Sequence, residues 1–414
     1  MVLKTLTDKD TEKNVGTYFF PKKGPGFSDP LTLEEYLSDD NFSYLKRETV
    51  KFIYKDICDK DIDKIIEKEK TSIDVGFNIQ SISPKDGVLY VQQGEMGIAS
   101  PDEDFIQYVG SSDATTCHIL IIRDSITGVS GVAHIDSVNA PHLNDFVHKL
   151  KHLANDRNVA KNATSVGNDA EESSKPCDVR SDEGKEFELF VIGGYEDERG
   201  TSEELSVELL KYLMNSREIF LMKILAIGSL NTTSIVTDSV SSSSHNAPIL
   251  YGAAIQISSG HVMPAHFPYR GPDETIRHLK LSFCGHRDGF SEPYNPKTGE
   301  LLIPAFSFNP HIENLMYYLN LPDDTFLEYM STSPKVEPPH FVENQKKIFR
   351  TAIHHPDLHK DIFPDGCHRV WTFHKGKGWV LKNVERTVCK IIDEEDSEMA
   401  QQSHCVNEKS NESS

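Results

Sequence analysis

CHILIIRDSITGVSGVAHI, residues 117–135, is the stretch on which the fold turns. Cys117 to Arg123 is apolar and β-branched, bounded by polar turn residues, and reads as a strand. Val129 to Ile135 reads as a second, with Asp124 to Gly128 as the turn between them. Strands joined by so short a loop pair antiparallel. In such a hairpin, opposed residues have a constant index sum. A turn centred between Ser125 and Ile126 sets Cys117 opposite His134, to within a residue or two. Directly opposed Cβ atoms stand about 4.5–5.5 Å apart, close enough for an imidazole to take a thiol proton. An imidazolium beside the sulfur lowers the thiol pKa and makes a nucleophile. A one-residue slip would send the two side chains to opposite faces.

The segment leading into the hairpin is Gly110-Ser-Ser-Asp-Ala-Thr-Thr-Cys117. It delivers the cysteine at the head of a buried strand, beside backbone N–H groups able to hold an oxyanion. Taken alone it describes a buried structural cysteine, and His134 is what tips the reading toward chemistry. A third group must orient the imidazole. Ser111 and Asp113 precede Cys117 closely enough to fold back beside it, although both residue types also serve in ordinary turns.

Outward from the hairpin, Val88 to Gln93 is a short strand and Pro141 to Asn155 an amphipathic helix. Residues 155–186 are polar and read as a disordered insertion. Phe187 to Gly194 is a strand. Thr201 opens a helix, with Glu204 completing a capping box. Phe220 to Gly228 is the next strand, followed by a flexible insertion at 237–246. Ile249 to Ile257 and His261 to His266 form a hairpin, and helices follow at 271–281, 321–330 and 341–352. The domain plan is a helical, partly flexible extension over 1–85, with helices at 29–37 and 44–70, a catalytic domain over 86–390, and a disordered tail over 391–414. The fold class expected is α+β, a layered sandwich of mostly antiparallel sheets flanked by helices.

The chain has 414 residues, of which 37% are hydrophobic, enough to bury a sizeable core. Its net charge of −21 argues against nucleic acid and against anionic membrane as partners. No apolar run approaches the roughly 18–20 residues of a membrane span, and the opening MVLKTLTDKDTEKN lacks the apolar core of a secretory signal. Seven scattered cysteines suit free thiols in a reducing compartment. The cytosol, or the nucleus, is therefore the expected location. Nothing fixes the oligomeric state, and a monomer is the default.

Other constellations carry less. Cys284-Gly-His286, Cys367-His368 and His354-His355 lack the paired spacing of a metal site, so no metal and no cofactor is expected. Gly193-Gly194 follows a strand without a dinucleotide fingerprint. The run Ser333-Pro-Lys-Val-Glu-Pro-Pro-His-Phe341 describes a rigid turn before a helix, with Glu337 solvated on the plainest reading.

Leu89-Tyr-Val-Gln-Gln93, Asp113-Ala-Thr-Thr-Cys-His-Ile119, Leu250-Tyr-Gly252 and Ser331-Thr-Ser-Pro-Lys-Val-Glu-Pro-Pro-His-Phe-Val-Glu343 together resemble the protein N-terminal asparagine amidohydrolases of animals and plants, over about residues 85 to 357. The spacing of Cys117 and His134 is also similar to that of bacterial chemoreceptor glutamine deamidases, which pair Cys and His with a hydroxyl residue. That likeness implies Ser111 as the third catalytic member. The resemblance implies a protein substrate with N-terminal Asn, converted to N-terminal Asp with release of ammonia, upstream of arginylation and ubiquitin-dependent degradation. Asp113 or Glu337 would then receive the substrate's α-ammonium. Two alternatives stand beside it: a deamidase of internal Gln or Asn, and an inactive protein that binds N-terminal Asn.

Overall fold

The computed structural model describes residues 18–19, 42–67, 76–165, 186–238, 243–285 and 289–382. The strands in chain order are β1 (Tyr18–Phe19), β2 (Gln80–Ser81), β3 (Val88–Tyr90), β4 (Met96–Ala99), β5 (Tyr108–Ser111), β6 (His118–Asp124), β7 (Ser130–Ile135), β8 (Glu186–Ile192) and β9 (Ile219–Ala226). They continue as β10 (Thr232–Asp238), β11 (Ser243–Pro248), β12 (Ala253–Gln256), β13 (Val262–His266), β14 (Tyr294–Asn295), β15 (Glu300–Ile303), β16 (Arg369–His374) and β17 (Gly378–Leu381). Among the described residues these make a six-stranded sheet ordered β1-β9-β8-β6-β7-β4 and a five-stranded sheet ordered β2-β13-β12-β5-β3. A four-stranded meander, β14-β15-β16-β17, and the hairpin β10-β11 complete the set.

The class is mixed α+β. The sheets, however, are more mixed than the short turns implied. β8 and β9, β3 and β5, and β2 and β13 pair parallel. A parallel pair needs a crossover, and the helix Thr201–Asn215 supplies it between β8 and β9. β3 reaches β5 by way of β4 in the neighbouring sheet.

Alternation along β6 sets the layering. Ile119 and Ile121 enter a cluster with Val132 of β7 and with Val109, Ala253 and Ile255 of the five-stranded sheet. Leu120 and Ile122 enter another, with Leu143, Phe146 and Leu150 of the helix Ala140–Ser165 and Leu209 and Leu213 of the helix Thr201–Asn215. The six-stranded sheet thus meets the second sheet on one face and two helices on the other. Each such aliphatic side chain, removed from water, contributes roughly 1.5–3 kcal/mol, which fixes which face of β6 is which.

β6 and β7 pair from His118↔Ile135 to Arg123↔Ser130. Their register is displaced from the turn-centred expectation. The Asp124 carboxylate accepts from the Ile126 and Thr127 amides and from the Thr127 hydroxyl. The Asp124 amide donates to the Val129 carbonyl at 2.9 Å. These bonds draw Thr127 and Gly128 into the loop, where Gly128 takes φ +77°. The turn centre therefore falls between Ile126 and Thr127. His134 now faces Ile119, and Cys117 stands one step past the last pair, in frame with Asp136. The displacement preserves parity, so Cys117 and His134 remain on one face as diagonal neighbours.

Several expectations are corrected. The helix Ala140–Ser165 runs on into the insertion expected at 155–186, of which 166–185 lies outside the described residues. Of the insertion expected at 237–246, residues 237–238 and 243–246 belong to β10 and β11, which pair antiparallel, and 239–242 lie outside the described residues. Thr201 is the first helical residue, not the cap. Gly200 caps at φ +72°, and the Asp197 carboxylate takes the Thr201 and Ser202 amides in place of a capping box. Among the described residues of 1–85, the α-helices are Phe42–Ile53 and Asp59–Ile66. Val50, Ile53 and Ile62 are fully buried, and the Thr49 hydroxyl accepts from the Leu225 amide at 3.1 Å, joining this segment to β9. The expected helix at 29–37 and the tail at 391–414 lie outside the described residues. Helices Glu274–Cys284, Asp323–Met330 and Phe341–His354 fall close to where they were expected. The helix Ile312–Leu319 and the β14–β17 meander carried no sequence signal. Among the described residues no helix is long and apolar enough to cross a membrane.

Candidate active site

The site lies where the two large sheets meet. β5 alternates so that Val109 and Ser111 share the face toward the six-stranded sheet, and β7 turns Val132 and His134 toward the same interior. Ser111 Oγ stands 2.8 Å from His134 Nδ1 and 2.6 Å from the Val91 carbonyl oxygen. A carbonyl cannot donate, so the single hydroxyl proton goes to Val91. Nδ1–H then donates to Ser111, which assigns the tautomer and leaves Nε2 as a bare lone pair. That Nε2 is buried and has no hydrogen-bond partner among the described residues.

Cys117 is a free, half-buried thiol immediately before β6. It lines a cleft of about 350 Å³ together with His134, Asp113, Asp136 and Glu337. Its backbone is backed by Gly193, whose φ is +109° and where a Cβ would meet the Cys117 carbonyl oxygen at 2.6 Å. The glycine pair noted after β8 therefore admits close packing behind the Cys117 loop.

The loop 113–117 is clamped from across the cleft by the segment 331–340. Thr116 and Thr332 hydroxyls bond at 2.8 Å, Thr115 Oγ1 donates to Glu337 at 3.4 Å, and His340 Nε2 meets Asp113 at 2.9 Å. Asp113 holds a left-handed φ of +62°, which Asp tolerates better than most residues.

A model of the protein N-terminal asparagine amidohydrolase family matches residues 78–166 and 170–381. The chain belongs to that family. Its relatives include the protein N-terminal asparagine amidohydrolases of Sus scrofa, 28% identical over 72% of this chain and 84% of the relative, and of Mus musculus, 28% identical over 75% and 89%. The Arabidopsis thaliana protein of the same name is 27% identical over 74% of this chain and 84% of its own length. The family is one of hydrolases, and the matched region contains every residue of the cleft while beginning after the helices Phe42–Ile53 and Asp59–Ile66.

The two candidate carboxylates differ in their partners. Asp113 bonds Arg270 at 2.6 Å as well as His340. Burial works to raise its pKa, but the His340 bond and the Arg270 charge outweigh that and hold it below the usual range. Glu337 Oε1 accepts from the Ser331, Ser333 and Thr115 hydroxyls and pairs with no cation among the described residues. Burial raises its pKa.

Burial pushes the Cys117 thiol well up, and the charges of Asp136 and Glu337 push the same way. Burial lowers His134 to about 4. In this structure burial therefore works against both the thiolate and the imidazolium.

Sequence reading did not single out Asp136, Gln93 or Arg270. Arg270 lies far from Asp113 in the chain, and no local pattern announces the pairing. Asp136 follows from the register alone, once the turn is placed correctly. The weak metal candidates are engaged otherwise: His368 Nδ1 accepts from the Ala305 amide, and His355 bonds Asp361. His286 lies outside the described residues. Cys367 is disulfide-bonded, so the free-thiol expectation does not extend to it. Among the described residues no three His, Cys, Asp or Glu side chains are placed to hold a metal ion.

Ser111→Ala removes the acceptor of Nδ1–H and leaves the ring free to rotate or change tautomer. Partners of this kind, once removed, commonly cost about 10–100-fold. The expected result is a fall of that size in kcat with KM little changed, read by steady-state ammonia release. An unchanged kcat would remove Ser111 from the mechanism.

Proposed function

We propose that the protein hydrolyses the side-chain amide of N-terminal asparagine in proteins and peptides, giving N-terminal aspartate and ammonia. The observation that carries this reading is the unpartnered His134 Nε2, set by Ser111 in a cleft that also holds a free thiol. Nε2 takes the Cys117 proton as sulfur attacks the carboxamide carbon. The backbone N–H of Cys117 and a neighbour receive the oxyanion. The imidazolium gives its proton to the departing nitrogen, and His134 then activates water against the thioester. The scheme draws on no metal and no cofactor.

Glu337 is the better receiver for the α-ammonium, since Asp113 is already neutralised by Arg270. The choice has a chemical consequence. Glu337 disfavours the thiolate in the empty site. An arriving ammonium offsets that charge, so the nucleophile sharpens when a free N-terminus is bound. Glu337→Gln is expected to raise KM by about 30-fold or more, since an unpaired buried charge costs on the order of 2–5 kcal/mol. A kcat/KM equal to wild type would reassign the ammonium site.

The reaction creates an acidic N-terminus. It would act in the cytosol or nucleus, upstream of arginylation and ubiquitin-dependent degradation, with the protein working as a monomer. The test is ammonia release from a peptide with free N-terminal Asn, beside its N-terminal Gln, N-acetyl and internal-Asn counterparts. Release from the free Asn peptide alone is the expected result. Release from acetylated or internal sites would make the protein a general deamidase. Release from none, by folded protein, would leave a binding role.

A further inference from the structure

Ser111 and His134 belong to different sheets. Ser111 ends β5 in the five-stranded sheet, and His134 stands in β7 of the six-stranded sheet. Their 2.8 Å bond therefore spans the gap between the two. The chain itself crosses that gap at the same place. β3 pairs with β5 as far as Tyr90↔Gly110, and β4 pairs with β7 from Met96↔Ala133, so only residues 91–95 lie between. Their main chain holds both partners. The Val91 carbonyl accepts from the Ser111 hydroxyl at 2.6 Å, and the Glu95 carbonyl accepts from the His134 amide at 3.1 Å. The Gly94 amide donates back to the His134 carbonyl at 3.0 Å. The form of this crossover thus sets how far apart serine and histidine stand.

A charge shapes the crossover. Glu95 Oε2 accepts from the Gln92 amide at 2.9 Å, closing the turn on itself, with Gly94 at φ +71°. Arg277, from the helix Glu274–Cys284, meets both carboxylate oxygens: Nε donates to Oε1 at 3.0 Å and Nη2 to Oε2. Nη2 also donates to the Tyr90 carbonyl at 2.8 Å, and Nη1 to the Arg270 carbonyl at 3.3 Å. One guanidinium fork therefore grips the crossover at its entry and at its exit. Arg277 and Glu95 are 4% and 5% exposed. Such a pair adds little to stability, because both charges must first leave water. What it supplies is direction, since the planar fork meets a carboxylate in a fixed geometry.

We propose that Glu95 and Arg277 are positioning residues for the reaction. The pair holds residues 91–95 so that Ser111 accepts from His134 Nδ1–H while giving its own proton to Val91. Neither side chain is among those that line the Cys117 cleft, so both act through the Ser111–His134 bond. The kinetic consequence rests on the amidohydrolase reading above, whereas the state of the histidine ring rests on the geometry alone.

The experiment uses the full chain. Glu95→Gln keeps the outline of the side chain and an acceptor for the Gln92 amide but removes the charge facing Arg277. It is expected to lower kcat by about tenfold to a hundredfold, as small displacements of catalytic groups do, with KM little changed. In a Ser111→Ala background the same substitution is expected to cost less than about twofold, because the contact it disturbs is already gone. A general loosening of the fold would cost as much in either background. Nitrogen-15 NMR of the His134 ring reads the same geometry without turnover: protonated at Nδ1 in the wild type, mixed between tautomers in Glu95→Gln. Arg277→Lys keeps a cation but loses the fork. It is expected to repeat both results, and it carries the comparison if Glu95→Gln does not fold. Equal losses in the two backgrounds, or an unchanged kcat and ring spectrum, overturn the positioning role and leave the amidohydrolase reading in place. Absence of ammonia release by the wild type overturns that reading, and the ring spectra then decide the positioning role by themselves.

Discussion

Cys117→Ala is expected to abolish ammonia release, with a fall of at least about 10⁴-fold in kcat, the scale seen when a covalent nucleophile is deleted. Deletion of the sulfur removes the thiol that His134 is proposed to activate. It disturbs the fold little, because Cys117 is half-buried, sits outside the β6–β7 ladder and bonds no other cysteine. The thermal midpoint is therefore expected within a few degrees of wild type. Residual single-turnover release near the wild-type rate, by a variant of unchanged midpoint, would remove the thiol from the mechanism and with it the thioester.

His134→Gln is expected to cost about 10²–10⁴-fold, the usual worth of a positioned acid–base group. Its signature is in the pH profile. The working pair holds one exchangeable proton between thiol and imidazole, so activity requires neutral His134. Burial places His134 at about 4 instead of in the ordinary histidine range. The sign follows for kcat, since in the complex the bound ammonium keeps Glu337 charged: kcat falls as pH drops through that value and stays high near pH 5–6, where an ordinary histidine would already be charged, whereas kcat/KM also falls as Glu337, raised by burial, takes a proton. At the alkaline end the substrate's own α-amine loses its proton near about pH 8, and binding to a carboxylate weakens. The Gln variant has no group to titrate and loses the acid limb. A wild-type limb at pH 6.5 would place His134 in contact with water or with a stabilising charge in the working enzyme.

Legibility in the sequence followed range. Cys117 and His134 were readable because a β-branched run, a turn and a second run lie within nineteen consecutive residues. Their shared face was also readable, since parity survives a displacement of two. The register itself was not, because it depends on one side chain, Asp124, that bonds three groups in the loop. The strand β16, RVWTFH, is half-buried along most of its length and so shows no clean inside–outside alternation. Asp113 looked available to an ammonium because its partners, Arg270 and His340, arrive from far along the chain. Glu337 looked solvated for the same reason: the Thr115 hydroxyl that reaches it is 222 residues away.

The clamp between 113–117 and 331–340 has a temporal meaning. During synthesis the hairpin bearing Cys117 and His134 emerges early and is local enough to form at once. Thr332, Glu337 and His340 emerge more than two hundred residues later. Until they do, the cleft lacks the wall that 331–340 supplies, and the proposed ammonium site does not exist. A nascent or truncated chain therefore carries the reactive cysteine without the means to select a substrate for it. The proposed ammonium site is therefore completed only once the segment 331–340 has been made.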